Sequence, residues 1–358
     1  MSSEIEKLRR QIDELNDELA ALIQRRASLA QKIGALKGGA NAYRPEREAE
    51  ILRRVAKTNS GPLGAQQMVA VFREVISACR ALEEATRVAY LGPAGTFSEM
   101  AVLEQFGHAV EPLACPSIDE AFRAAETGAA QFAVVPMENS TEGAIGRSLD
   151  LLLTTPLKIC GEIVLRVRQN LMRKGKDTKG KLHGVKRVYS HQQSLAQCQR
   201  WLAQNLPGAE RIAVASNAEA ARLAAKEKSA CAIGPKLAAE RYGLSLIAAD
   251  IEDESSNRTR FAVLGSIEPG PSGSDATALV MSAPNRPGAV HALLEPFARH
   301  GVSMSRLESR PTRLGQWEYY FYVDLHGHRS DPKVAAALGE LEKLAPFLKI
   351  LGSYPSAR

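Results

Sequence analysis

From Ile5 the apolar residues fall at positions 5, 8, 12, 15, 19 and 22, then at 29, 33 and 36. Steps of three and four keep one stripe of a 3.6-residue helix apolar, which predicts a long amphipathic helix with coiled-coil packing. Arg26 occupies the missing rung, and Lys37 returns to nearly the same angle about three turns later. A charge on an apolar stripe is costly unless it is paired or bound to something. Gly38-Gly39 is expected to end this helix, and a second runs from Pro45, a good first-turn residue, to Lys57. There Arg47 and Glu48 stand one turn ahead of Ile51 and Leu52, on the inner face. After Ser60-Gly61-Pro62 a third helix sends Met68, Phe72, Val75, Ile76 and Cys79 inward, and Glu83 continues that stripe. Three helices of this size bury little alone, so an intertwined dimer is expected.

Beyond residue 87 the period changes. Val88–Leu91 reads as a buried strand feeding a glycine-rich turn, GPAGTFSEMA, with Ser98 and Glu99 opening a helix. Such a start cradles anions on backbone N–H groups, although many α/β proteins begin this way. Further strands are predicted at Phe132–Val135, Ile163–Val167, Val185–Tyr189, Ile212–Ala215 and Ala230–Ile233, with helices between them. That alternation argues for an α/β module with parallel-rich sheets. Polar clusters follow several strands: Glu138-Asn139-Ser140 after one, Ser190 to Gln197 after another, Gly234-Pro235 after a third. They are placed where open sheets bind ligands, although Asn139 and Ser140 could equally cap the next helix. The stretch SSNRTRFAVLG, residues 255–265, starts polar and ends as a buried strand. It holds Thr259 between two guanidiniums, as a basic loop or as a proton donor and anion contact.

Residues 266–275 form a Gly/Pro/Ser linker. After it come a strand at Ala276–Ser282, a turn at Asn285–Gly288, a helix at Ala289–His300, strands at Met304–Glu308 and Trp317–Leu325, and a helix at Pro332–Leu344. A βαββαβ order predicts a small ferredoxin-like α+β sandwich.

Composition narrows the function classes. The charge of +6 is mild, and the basic residues are spread along the chain, which suits small anionic ligands better than nucleic acid. No apolar run approaches the roughly 20 residues that span a bilayer, and the charged start lacks a signal-peptide core, so a cytoplasmic protein without membrane contact is expected. Five scattered cysteines show no CxxC pair, which indicates neither a disulfide framework nor a zinc site.

Arg9, Arg26, Lys37, Arg47-Glu48 and Glu83 together resemble the all-helical chorismate mutase domain. The resemblance implies that Arg9 of a partner chain, Arg26 and Arg47 bind the substrate's carboxylates. It gives Glu48 the ring hydroxyl, and Lys37 and Glu83 the ether oxygen. A pericyclic step needs confinement and charge stabilisation only. Glu83 can donate to an ether oxygen only when protonated, so the rate is expected to fall as rising pH deprotonates it. Arg44 stands where many members have Asp.

The segments GPAGTFSE, VPMENSTEG, the SH–Q–Q run, AIGPKLAAERYGL and NRTRF resemble prephenate dehydratase. This implies a two-lobed, periplasmic-binding-protein-like α/β fold, with 88–163 plus 258–265 in one lobe and 164–257 in the other. Thr259 is then the donor to the leaving hydroxyl, with Glu138, Asn139, Ser190 and Gln197 as polar contacts and Thr96 and Arg260 as prephenate carboxylate contacts. No metal or organic cofactor is implied. Gln192 replaces the family's usual Pro.

NRPGAVHALL, LESRP and WEYYFYVDLHGH resemble a phenylalanine-binding ACT domain. The ligand segments are Gly288, Ala289 and Val290, and Glu308, Ser309, Arg310 and Pro311, at a dimer interface; His291 departs from the family's GALV. The chain is therefore expected to divide into a helical mutase domain (1–87), a dehydratase domain (88–265), the linker, and an ACT domain (276–358). The whole resembles the bifunctional chorismate mutase–prephenate dehydratases. Its expected partners are chorismate, prephenate, L-phenylalanine and a second copy of itself, with higher assembly open. Two other readings stand beside it: a dehydratase whose helices only dimerise, and a non-catalytic ligand-binding regulator.

Overall fold

The computed structural model describes residues 2–37, 41–175, 182–284, 286–311 and 319–357. The Gly38-Gly39 helix stop, Asn285 and Trp317 lie outside them, as does the side chain of Lys37. The chain divides into two compact units, one of residues 1–86 with 106–111 and one of the remainder. Among the described residues no helix is long and apolar enough to cross a membrane.

The smaller unit is helical: α1 (Ser2–Lys37), α2 (Pro45–Thr58) and α3 (Ala65–Ala81). α3 packs against both others and buries Ile76, Cys79 and Arg80. The predicted stripe of α1 is present, but every apolar side chain in it, from Ile5 to Leu36, is 49–88% exposed.

The larger unit holds three sheets. The first takes β1 (Arg87–Leu91), β2 (Glu111–Cys115), β3 (Phe132–Asn139), β4 (Gly143–Ala144) and β5 (Lys158–Arg166), separated by α4 (Phe97–Phe106), α5 (Ile118–Glu126) and α6 (Gly146–Thr154). The chain then crosses to a second sheet of β6 (Asn170–Arg173), β7 (Arg187–His191), β8 (Glu210–Val214), β9 (Ala230–Gly234) and β10 (Ser245–Ala248). That sheet carries α7 (Gln192–Gln197), α8 (Gln199–Asn205), α9 (Asn217–Ala224) and α10 (Lys236–Tyr242). β11 (Arg258–Gly265) returns to the first sheet, between β3 and β5, giving the order β2-β1-β3-β11-β5 with β4 on β3. The second sheet runs β10-β6-β9-β7-β8.

Neither sheet is parallel-rich, contrary to the reading of the alternation. β11 is antiparallel to both its neighbours, and β6 is antiparallel to β9 and β10. The reason is the double crossing, because a strand that returns from the other lobe enters its sheet from the far end. The two crossings run side by side, with Val167 N–H donating to Asn257 O (2.9 Å) and Ile251 N–H to Gln169 O (2.8 Å).

The third sheet, β12 (Asp275–Ser282), β13 (Met304–Pro311), β14 (Tyr319–His326) and β15 (Phe347–Pro355), has the order β13-β14-β12-β15. With α11 (Ala289–Arg299) and α12 (Pro332–Leu344) it makes the predicted sandwich. One face packs on these helices through Leu279, Met281, Val323 and Leu325. The other shares a core with the first sheet, where Ala278, Val280, Tyr322, Leu351 and Tyr354 meet Val135, Leu149, Ile159 and Leu264. The approach is close, since a Cβ on Gly352 would lie 2.0 Å from Ile159 O. Lys349 Nζ donates to the last carbonyls of α6, Leu152, Leu153 and Thr155, at 2.9, 3.0 and 2.7 Å. A cation there complements the helix C-terminus. The third sheet is thus bonded to the first along a whole face as well as through residues 266–274.

Candidate active sites

A cleft of about 680 Å³ opens between the first two sheets. One wall is Thr96, Phe97 and Ser98 with Asn139 and Thr259; the other is His191, Gln193, Ser194 and Gln197 with Ser216, Asn217 and Glu219. Both walls present polar groups just past strand ends, as open α/β sheets do. Among the described residues lining the cleft there is no Arg or Lys, and His191 and Glu219 are the only ionisable side chains. The first residues of α4 and α9 line opposite walls, where the helix dipole favours an anion, and Glu219 in the first turn of α9 is paired with Arg222. The turn into α4 is held from beneath. Gly95 adopts a left-handed φ of 87°, and its N–H donates to the buried Glu99 carboxylate at 2.5 Å, which also receives Arg241.

The centre of the near wall is a directed pair. Thr259 and Asn139 are opposite each other in the β11–β3 ladder. Asn139 Oδ1 accepts from the backbone N–H groups of Thr141 (3.0 Å) and Glu142 (3.2 Å) and from Thr141 Oγ1 (2.6 Å). Backbone N–H groups only donate, so this end of the amide is the oxygen. Its Nδ2 then donates to Thr259 Oγ1 (2.8 Å) and to Asn257 Oδ1 (2.9 Å). Because Thr259 Oγ1 is occupied as an acceptor, its own hydrogen is left to donate into the cleft. That is the polarity a departing hydroxyl requires.

Thr96, Asn139, Gln197 and Thr259 line the same cleft. Ser190 does not. It is fully buried behind the far wall, with Oγ 2.9 Å from Ile233 O and 3.3 Å from Asn217 Oδ1. Glu138 and Arg260, expected as contacts of the substrate, do not line it either. Successive side chains of a strand face opposite ways, and with Asn139 and Thr259 turned to the cleft, Glu138 and Arg260 turn to the third sheet. Arg260 donates to Glu162 (2.5 Å), to Asp324 and to Tyr354 Oη (3.1 Å). Burial opposes its charge, but Tyr354, Asp324 and Glu162 hold the guanidinium above its already high value.

In the helical unit, α3 ends at Ala81 and the turn after it, not a continued helix, brings Glu83 against α1, where a Cβ on Gly34 would come within 2.9 Å of Glu83 Cγ. Arg26 Nη1 approaches Val75 O at 3.5 Å. Glu48 receives the buried Arg80 at 2.5 Å, and Arg80 also donates to Phe106 O at 2.5 Å. Burial raises the Glu48 carboxyl above its ordinary value, partly offset by Arg80. Arg9 and Arg47 are exposed, Arg47 pairing with Glu50. Arg26, Glu48 and Glu83 are half-buried among the helices of one chain, whereas Arg9 and Arg47 are exposed.

Sequence profiles match three segments: chorismate mutase type II at 8–84, prephenate dehydratase at 88–269 and the ACT domain at 277–343. Along its whole length the chain is 50% identical to a bifunctional chorismate mutase/prephenate dehydratase of Neisseria gonorrhoeae, covering 99% of that protein. The chain belongs to the bifunctional chorismate mutase/prephenate dehydratases. A relative of the same description from Aquifex aeolicus is 39% identical over 99% of this chain and 98% of its own length. Among solved structures, prephenate dehydratase from Arthrobacter aurescens in complex with L-Phe is similar at a TM-score of 0.69 and 34% identity, over 76% of this chain and 90% of that one. The enzyme thus carries both activities on one chain, and the cleft belongs to its prephenate dehydratase segment.

In the ACT segment of this mutase/dehydratase, Gly288 has φ 76° and precedes α11, which begins with the buried Ala289. Val290 follows on the helix, and Glu308, Ser309, Arg310 and Pro311 end the edge strand β13. Arg310 is engaged elsewhere, donating to Asp150 of α6 at 3.0 Å. Gln169 and Asn217 also line the cleft, while Asn257 holds Asn139 and Arg80 holds Glu48, four residues that the sequence pattern does not single out. Asn257 stands in the NRTRF segment, two positions before Thr259 and just ahead of β11, where no periodicity marks it.

Proposed function

We propose that the dehydratase step is carried by Thr259 as directed by Asn139, with the substrate's carboxylates at the starts of α4 and α9. In prephenate the electron pair of the ring carbon–carboxylate bond moves into the ring as carbon dioxide leaves. The pair of the ring C–O bond stays on the departing oxygen, which takes up a proton and leaves as water. Thr259 donates a hydrogen bond to that oxygen, and solvent restores the proton. Gln197 and Thr96 position the substrate from the two walls. The single supporting observation is the Asn139–Thr259 hydrogen bond of fixed polarity.

The chorismate mutase site is read as composite: Arg26, Lys37, Arg47, Glu48 and Glu83 of one chain with Arg9 of a second, in a homodimer formed through the exposed stripe of α1. The domain divisions remain 1–87, 88–265, 266–275 and 276–358. L-phenylalanine, which the A. aurescens relative binds, is read as the feedback inhibitor, held near Gly288–Val290 and Glu308–Pro311. The test is to feed chorismate to the full-length chain and follow prephenate and phenylpyruvate, with and without phenylalanine. Formation of both products, with the second suppressed by phenylalanine, supports the reading; phenylpyruvate formation indifferent to phenylalanine removes its regulatory part.

A further inference from the structure

The two arms of the dehydratase ladder have two faces. Asn139 and Thr259 face the cleft, and the residues next to them, Glu138 and Arg260, face the ACT sheet. Every strand of the ACT sheet except β12 supplies a partner on that side. Arg306 of β13 reaches Glu138 at 3.3 Å, Asp324 of β14 receives Arg260, and Tyr354 of β15 receives it at 3.1 Å. Glu138 lies 3.9 Å from Arg260 as well, so the two arms are joined to each other and to the sheet by one cluster of charges. Arg260 and Arg306 are nearly buried there, as are Glu162 and Asp324. β13 carries both Arg306 and, two residues on, the Glu308–Pro311 segment read as a phenylalanine contact. At the end of that segment's strand Arg310 holds Asp150 of α6.

We propose that Arg260 and Glu138 are positioning residues, which couple the ACT sheet to Asn139 and Thr259 and make dehydratase turnover respond to the state of β13–β15. The inference rests on reading Thr259 and Asn139 as the reacting pair and phenylalanine as the effector. Thr259 and Arg260 share one peptide unit, so a shift of the β11 backbone at Arg260 also moves Thr259 against Asn139. A buried ion cluster has few alternative arrangements, which makes it a discrete link rather than a soft one. Residues 266–274 then connect the segments without carrying the signal.

The experiment uses the full-length enzyme. Asp324→Asn removes one charge facing Arg260, and Tyr354→Phe removes a single hydroxyl with little effect on packing. The phenylalanine concentration that half-inhibits the dehydratase should rise at least about fivefold in Asp324→Asn, the lower end of ordinary allosteric coupling. A smaller rise is expected for Tyr354→Phe. Phenylalanine should still bind, with a Kd by titration calorimetry no weaker than in the wild type. Arg260→Lys should lower kcat about tenfold with KM for prephenate within about twofold, because an interaction with protein rather than substrate is lost.

Inhibition of both ACT variants at the wild-type concentration, with binding intact, overturns the coupling. A large rise in KM with unchanged kcat in Arg260→Lys returns Arg260 to the substrate and overturns the positioning role. Thr259→Ala with full turnover, or wild type indifferent to phenylalanine, would instead bring down the underlying reading and the proposal with it. The two failures are therefore distinguishable.

Discussion

Along α1 the apolar side chains from Ile5 to Leu36 are 49–88% exposed, whereas Phe261, Val263 and Leu264 on β11 are exposed by 2% or less. Fully burying a Leu or Ile contributes about 1.5–3 kcal/mol, so a helix that leaves such a stripe in water lacks most of its stabilisation. The dehydratase sheet buries its apolar residues within one chain; the stripe of α1 is not buried there. The same contrast appears in the chemistry. Asn139, Thr259, Gln197 and Thr96 line one cleft of one chain, but in the helical unit Arg9 and Arg47 are exposed while Arg26, Glu48 and Glu83 are half-buried. One activity is thus read as intrinsic to the fold of the chain and the other as dependent on association.

The largest effect expected is local. Thr259→Ala should reduce dehydratase turnover by about a thousandfold, within the range of a lost proton-transfer group, while chorismate consumption is unchanged. Equal loss of both activities in a coupled assay would erase the contrast. Next in size is the association itself. Leu15→Glu with Leu19→Glu places charges on side chains that are 61% and 56% exposed, so the folded chain tolerates them. Mutase activity should nevertheless fall about a hundredfold, the scale of a lost transition-state contact, with dehydratase activity within about threefold. Sedimentation must show the mass reduced; a monomer with full mutase activity would make the helical unit self-sufficient.

A smaller effect sharpens the dehydratase side. Asn257 is buried, accepts from Asn139 through Oδ1, and its Nδ2 has no hydrogen-bond partner among the described residues. Asn257→Asp keeps the acceptor and should retain kcat within about threefold, whereas Asn257→Leu keeps the size and should lose about tenfold, in line with one hydrogen bond. If Leu and Asp behave alike, packing alone explains the residue.

The smallest effect concerns pH. Glu48 has its folded value raised above 4.5 by burial, so it gains a proton nearer neutrality than a free carboxyl would. Mutase rate should decline a few-fold as pH falls through that raised value, and Glu48→Gln should flatten this limb. A raised acid binds its proton more tightly when folded, so stability from this group is present at low pH and is lost as pH rises through the folded value. The decline in rate would therefore not be unfolding, and circular dichroism across the same range should stay constant.

Much of the site was legible because strand ends and helix starts carry their own chemistry. Thr96, Asn139, Gln197 and Thr259 are named by the dehydratase-like motifs, with Asn139 and Gln197 also lying in polar clusters past apolar runs, and one cleft holds all four. Ser190 sat in the same pattern but is inward on β7, supporting Asn217 from behind. Arg260 is adjacent to Thr259 in the sequence but faces the ACT sheet, because on a strand adjacency means the opposite face. Gln169 and Asn257 sit where the chain crosses between sheets, a place that no periodicity marks.

The order of modules, the stripe of α1, the glycine turn into α4 and the βαββαβ pattern were set by the sequence alone, since period, turns and caps depend on neighbours within a few residues. Alternation also required Thr259 and Arg260 to face opposite sides. Only the tertiary structure decided which side is the cleft and which is the ACT sheet, because that depends on what packs against each face from more than sixty positions away, as Asp324 and Tyr354 do. A charged residue at a strand end reads the same whether its partner is a substrate or a distant part of its own chain.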